Sequence, residues 1–143
     1  LLKILAVDFG DARTGIAISD AMEYLASPLG VIEERNFDKC IEKVRDTAVQ
    51  NGANEVIVGY PKNMNGTIGE RAEKCQLFSE KLAEALENKI EIKLWDERCT
   101  TVSAHNYLNQ TNTRGKKRKA IVDAVAATII LESYLEFRKN QNR

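Results

Sequence analysis

Residues 5–20 read LAVDFGDARTGIAISD. An apolar run ends on Asp8, a glycine-containing connection follows, and a second alternating run ends on Asp20. In the second run Ile16 and Ile18 fall on one side of a pleated strand, and Ala17 and Ser19 on the other. Gly10 and Gly15 supply backbone freedom for the connection. The stretch therefore predicts a β-hairpin, with strands over 3–9 and 14–20, that sets the Asp8 carboxylate near the middle of a sheet. A lone Asp at such a place could equally well start a turn. The acidic residues farther along the chain favour a chemical reading.

Outward from the hairpin, residues 29–33 predict a third strand after Pro28, which is expected to close the preceding loop. The period then changes. Phe37, Ile41, Val44 and Ala48 form a helical stripe, with Asp38 at its start and Gly52 at its end. Residues 55–58, EVIV, predict a short central strand broken by Gly59, Tyr60 and Pro61. After a polar loop over 61–69, Ala72, Cys75, Phe78, Leu82 and Leu86 mark a helix over 70–87. Residues 90–95 alternate as a strand that ends at Asp96 and Glu97. Helices are expected over 101–109 and 118–138, separated by a polar, mobile stretch over 110–117. Three sequential strands suggest an antiparallel meander, and strands alternating with helices suggest parallel crossovers. The expected fold class is α/β: one mixed five-stranded sheet with helices on both faces, in a single domain over residues 1–143.

Composition bounds the function. Apolar residues are 43% and charged residues 29%, ordinary for a globular protein. No apolar run reaches the roughly 18 residues of a membrane span, and no secretory signal pattern opens the chain. Leu1 stands where a Met is usual, so the first residue is expected to have been lost or replaced. Three cysteines at 40, 75 and 99 form no CxxC, which argues against a disulfide framework or zinc site and for a cytoplasmic location. Net charge is zero, so bulk charge gives no sign of a nucleic-acid partner. Its distribution does: Arg114, Lys116, Lys117, Arg118 and Lys119 cluster around Gly115.

Three acidic positions stand in or after apolar runs: Asp8, the pair Asp96 and Glu97, and Asp123, the one charge within AIVDAVAA. A buried lone carboxylate costs several kcal/mol, in rough terms, unless it is paired or bound to a metal. Each has a structural alternative: Asp96 or Glu97 paired with Arg98, and Asp123 with Lys119 one turn earlier. Taken together they suggest a carboxylate cluster neutralised by Mg²⁺ or Mn²⁺, since an all-oxygen donor set favours those ions over zinc. Two such ions about 4 Å apart can activate water and stabilise a leaving oxygen in phosphodiester cleavage. The basic run would hold a phosphate backbone beside them, with Arg13, Arg71 and Arg98 as further contacts. Asp20 reads as a structural strand end and His105 as an ordinary helix residue.

The motif Asp8-x-Gly10-x-x-Arg13-x-Gly15-x-Ala17-x-Ser19-Asp20 resembles the opening of the YqgF family. Its members are described as Holliday junction resolvases or pre-16S rRNA nucleases. Val58-Gly59-x-Pro61 with Asn65-Gly66, then Asp96-Glu97-Arg98-x-Thr100-Thr101, resemble its second and third motifs. The Lys-rich run followed by Asp123-x-x-Ala126-Ala127-x-x-Ile130-Leu131 and Tyr134-Leu135 resembles its last. Tyr60 stands where the family often has an aliphatic residue.

The resemblance implies a ribonuclease H-like fold with sheet order 3-2-1-4-5 and strand 2 antiparallel. It also implies a metal-dependent nuclease whose metal ligands and catalytic residues are Asp8, Glu97 and Asp123. Asp96 and Glu97 are neighbours, and a one-residue change of register would exchange their faces. The substrate that the resemblance implies is RNA or branched DNA, with 5′-end maturation of precursor 16S rRNA first and junction resolution second. Resolution would need two opposed sites and hence a homodimer. An rRNA-trimming enzyme could act as a monomer on ribosomal precursor particles. The rival readings are a non-catalytic nucleic-acid-binding module and an actin-like phosphotransferase. The phosphotransferase would need a second domain of the same kind.

Overall fold

The computed structural model describes residues 3–20, 22, 25–61, 66, 68–97 and 116–141, with 116–123 followed by backbone course alone. Eight elements are present among them: β1 (Ile4–Asp8), β2 (Arg13–Ser19), β3 (Ala26–Glu33), α1 (Phe37–Gln50), β4 (Glu55–Tyr60), α2 (Glu70–Ala85), β5 (Glu91–Asp96) and α3 (Lys116–Gln141). The sheet order is β3-β2-β1-β4-β5, as expected. β1 pairs antiparallel with β2 and parallel with β4, and β5 is parallel to β4. The expected helix over 101–109 and residues 110–115 of the expected mobile stretch over 110–117 lie outside the described residues; its last two residues, Lys116 and Lys117, are instead the start of α3.

The pleat decides which residues meet which helices. Leu5, Val7, Phe9, Val56 and Val58 pack with α1 and α2 residues such as Val44, Cys75, Phe78 and Leu82. Ile4, Ala6, Ala17 and Ile57 pack with Ala127, Ile130, Leu131 and Tyr134 of α3. β1 and β4 are thus covered on both faces, which is why both read as nearly unbroken apolar runs. Cys40 and Cys75 are buried free thiols in the first of these cores.

Two local expectations are corrected. Pro28 does not close a loop; it lies inside β3, which begins at Ala26. β3 is an edge strand, where a missing N–H is tolerated. The register also jumps there: Ile16 faces Gly30 and Ala17 faces Pro28, so Leu29 is an extra residue. Gly59 and Tyr60 do not break β4; the strand runs on to Tyr60. Asp38 stands in the first turn of α1, as expected, and Asn36 caps the helix, its side chain accepting from the Lys39 amide at 2.9 Å.

The β1–β2 connection admits only glycine at position 10. A Cβ there would lie 2.1 Å from the carbonyl oxygen of Arg13. At the far end of β2, Asp20 holds the β2–β3 connection. Its amide donates to the Leu25 carbonyl at 3.1 Å, and its Oδ1 accepts from the Leu25 amide at 3.2 Å.

One buried polar group was not legible as such in the sequence. Glu55 opens β4 only 2% exposed, and accepts a short hydrogen bond from the Tyr134 hydroxyl of α3. Lys93 Nζ donates to the same hydroxyl at 3.2 Å and stands 3.4 Å from Glu55; Arg138 stands 3.8 Å from it. This group pins α3 to the start of β4. Hydrogen bonds to charged groups contribute about 1.5–3 kcal/mol. Tyr134→Phe is therefore expected to lower stability by that amount in urea unfolding, leaving the remote end of the sheet intact. A loss under about 0.5 kcal/mol, the range of a neutral surface change, would contradict this account.

Candidate active site

Asp8, Tyr60 and Asp96 end the three parallel strands at the same edge of the sheet. In open α/β sheets this carboxyl edge is where ligands bind. The pleat assigns the faces. Asp8 has the parity of Ile4 and Ala6, which pack on α3, and sits opposite Gly15 in the β1–β2 ladder. On β5, Lys93 and Trp95 bond to Tyr134 and Ser133 of α3, and Glu97, the residue after the strand, lies on that same face, beside Gly59 where Ile130 of α3 also packs. Asp96 shares parity with Ile92 and Leu94, which pack on the opposite core. Asp8 and Glu97 therefore share one face, and Asp96 turns to the other.

Gly59 makes room for this arrangement. It lies in β4, next to β1 and β5. A Cβ there would stand 2.8 Å from Ile130 Cδ1 and 3.2 Å from both Cδ and Oε1 of Glu97. The Glu97 carboxylate is laid over a bare α-carbon in the space between sheet and helix. A glycine inside a strand pattern commonly signals such an approach. The sequence therefore held the signal, although the Gly-Tyr-Pro run first reads as a break.

α3 runs against β4: Tyr134 meets Glu55 at the strand's start and Ile130 meets Gly59 near its end. The seven residues from Ile130 back to Asp123 advance the helix about 10 Å toward the carboxyl edge. The backbone of Asp123 lies in α3 at that end, and its side chain lies outside the described residues. The same holds for the side chains of Lys116, Lys117, Arg118 and Lys119. Arg98, Cys99, His105 and Arg114 lie outside the described residues altogether. Arg13 begins β2 on the same pleat face as Gly15, beside an open cavity of about 470 Å³ lined also by Ala12, Glu33, Glu34 and Arg35.

Burial holds Glu97's carboxyl above its ordinary value; the Arg71 guanidinium opposes this and Asp96 adds to it. Burial pushes the Cys75 thiol up to about 11. Arg71 opposes that shift, and the charges of Glu97, Asp8 and Asp11 add to it. These four charged groups thus lie within electrostatic reach of one point on α2. A cation placed among Asp8 and Glu97 would offset both their mutual repulsion and the desolvation of Glu97. The donor set, oxygen only, fits Mg²⁺ or Mn²⁺. Among the described residues, no group of three or more His, Cys, Asp or Glu is placed to hold a metal ion. Asp8 and Glu97 supply two carboxylates, and Asp123 is the remaining expected ligand.

A raised carboxyl pKa has a definite consequence for stability. The folded chain holds the Glu97 proton more tightly than the unfolded chain. Stability therefore falls as pH rises from the ordinary value of 4.5 through the raised one. Glu97→Gln is expected to raise the melting temperature at pH 7.5 without divalent cations, an effect of about 0.5–2 kcal/mol. Below pH 4.5 the advantage should vanish. Scanning calorimetry at both pH values checks this; an unchanged or lower melting temperature at pH 7.5 would contradict it.

The family model described as RuvX, Holliday junction resolvase, matches residues 2–137. The chain belongs to this family. It is the family that the four sequence motifs resemble. Among RuvX relatives, a protein of Caldanaerobacter subterraneus is 40% identical over 141 residues, covering 97% of this chain and 99% of its own length. One of Bacillus cytotoxicus is 43% identical over 141 residues, covering 94% and 98%. Both carry the name "Putative pre-16S rRNA nuclease". Among solved structures, RuvC of T. thermophilus in complex with a Holliday junction substrate aligns with a TM-score of 0.61 at 10% identity, covering 97% of this chain and 96% of that one. The fowlpox virus resolvase with Holliday junction DNA aligns at 0.55 and 13%, covering 96% and 99%. These likenesses establish the ribonuclease H-like fold of this RuvX chain.

Proposed function

We propose that this RuvX chain is a single-domain nuclease that hydrolyses phosphodiester bonds in structured nucleic acid at the carboxyl edge of its sheet. The observation that carries the reading is the convergence of Asp8 and Glu97 on one face, with Glu97 seated over Gly59. Asp8, Glu97 and Asp123 would hold Mg²⁺ or Mn²⁺, which when bound supplies charge neutralisation and water activation for phosphoryl transfer. The residues of the chain do the rest. Asp8 at the end of β1 and Glu97 directly after β5 would fix the donor oxygens at the ends of two strands of one sheet. α3 closes the face beneath them and excludes water from the Gly59 side. Arg13 and the basic residues Arg98, Arg114, Lys116, Lys117, Arg118 and Lys119 would position phosphates.

Precursor 16S rRNA is the first substrate to test, because relatives near 40% identity bear that name over almost the whole chain. A cytoplasmic location and ribosomal precursor particles as partners go with it. None of the helices described is long and apolar enough to cross a membrane. The second reading, junction resolution by a homodimer, is favoured by the family description and by the fold of the two resolvases. The experiment is cleavage of 5′-labelled precursor 16S rRNA and of a four-way DNA junction in parallel, with and without Mg²⁺, at protein concentrations whose solution mass is known. Mg²⁺-dependent cleavage of the RNA by a monomer supports the first reading, and paired nicks in the junction by a dimer support the second. No cleavage of either would leave the binding module as the better account.

A further inference from the structure

β1 ends at the residue that carries the proposed chemistry. Asp8↔Gly15 is the last pair of the β1–β2 ladder, and Val7↔Val58 the last of the β1–β4 ladder. Beyond Asp8 both ladders end, and from the sheet the Thr14 hydroxyl of β2 reaches the Gly10 backbone, accepting from its amide at 3.4 Å. Three residues of α2 take over. Arg71 Nη2 donates to the carbonyl oxygen of Phe9 at 2.7 Å, across 62 residues of sequence. Phe78 stacks on the Phe9 ring with centroids 4.5 Å apart. Lys74 Nζ pairs with Asp11 Oδ1 at 2.5 Å. Positions 71, 74 and 78 are spaced i, i+3 and i+7, so they form one face of the helix. That face grips residues 9–11 by backbone, ring and side chain at once.

The three grips differ in weight. The Lys74–Asp11 pair is exposed on both sides and contributes little by itself. The Phe9–Phe78 stack fixes a ring on the far face from Asp8 and tolerates sliding. The Arg71 bond acts on the peptide group between Phe9 and Gly10, the second after Asp8. Its guanidinium also stands within electrostatic reach of Glu97. One side chain thus ties down the strand end bearing Asp8 and lies within electrostatic reach of the carboxylate that follows β5.

We propose that Arg71 is a positioning residue of the nuclease site: by holding the Phe9 carbonyl, it fixes the backbone from which Asp8 projects toward Glu97. The inference rests on the proposed nuclease function, and departs from the simpler assignment of Arg71 as a phosphate contact. The two roles move different quantities. A positioning residue changes the rate of the bound complex. A phosphate contact changes affinity and its salt dependence.

The test compares wild type, Arg71→Gln and Arg71→Lys, with Asp8→Asn as reference, on the substrate that the wild type cleaves. Arg71→Gln should lower kcat by about 10–100-fold, the cost of a small misplacement, with KM within twofold and the salt slope of binding unchanged. Lysine can still donate to the Phe9 carbonyl, so Arg71→Lys should recover most of kcat. Amide exchange at residues 9–12 should quicken in Arg71→Gln and return toward wild type in Arg71→Lys. A raised KM with unchanged kcat and a salt slope smaller by about one would overturn the proposal and make Arg71 a phosphate contact. Unchanged kcat and exchange would overturn it too. Should Arg71→Gln fail to fold, the charge-retaining Arg71→Lys is read on the same axes against wild type. Absence of cleavage by wild type would overturn the nuclease reading and this inference together. Cleavage by wild type with Arg71→Gln unimpaired overturns this inference alone.

Discussion

Asp8→Asn is expected to remove phosphodiester cleavage by more than about 100-fold while leaving the chain folded. Outer partners of metal ligands typically cost about 10–100-fold when removed, and a ligand should cost more than its support. The substitution keeps the shape of the side chain, so the packing of Ile4 and Ala6 on α3 should be unaffected. Far-UV circular dichroism and melting temperature should stay close to wild type. The measurement is single-turnover cleavage at saturating Mg²⁺, with KM followed separately. Equal cleavage by both proteins would remove Asp8 from the site, and with it the significance of the opening hairpin.

Gly59→Ala should be the second large effect, and the more diagnostic one. Its Cβ would meet the flexible end of Ile130 at 2.8 Å and the Glu97 carboxylate at 3.2 Å. Overfilling a packed core costs about 1–3 kcal/mol. Ile130 can retreat by rotation, but any yielding by Glu97 displaces a donor oxygen from the site. Cleavage should therefore fall by about 10-fold or more, on the scale of about 100-fold for a 1 Å misplacement. The double variant Gly59→Ala with Ile130→Val separates the two contacts. Shortening Ile130 should restore most of the stability and little of the activity. If activity returns with stability, Gly59 serves only packing, and Glu97 is not seated as a functional group.

The sequence made the hairpin legible because its signals are local: an apolar run, a glycine turn and a period of two. Asp8 was visible for the same reason. Asp96 and Glu97 could not be separated, since their faces depend on the pleat of β5 against α3, fixed by Lys93–Tyr134 and Trp95–Ser133 contacts some forty residues apart. Gly59 and Tyr60 read as a break because Gly-Tyr-Pro is a turn signal locally. The strand continues because its neighbours on both sides supply the ladder. Pro28 read as a loop for a similar reason: only the sheet order shows that β3 is an edge. Glu55 passed as an ordinary strand residue, since the Tyr134 hydroxyl that satisfies it lies 79 positions later. Arg71 stands out in the sequence only as a charge after a loop, and its bond to the Phe9 carbonyl depends on a packing of α2 that no spacing announces.

Asp8 and Glu97 must act as one site for the proposed chemistry, and a double-variant cycle on metal affinity tests that most directly. Mg²⁺ and Mn²⁺ are titrated calorimetrically into wild type, Asp8→Asn, Glu97→Gln and the double variant. A shared site predicts that each single change weakens binding strongly and that the double change adds little more. Binding that is equally tight in all four proteins, or small losses that simply add, would contradict it.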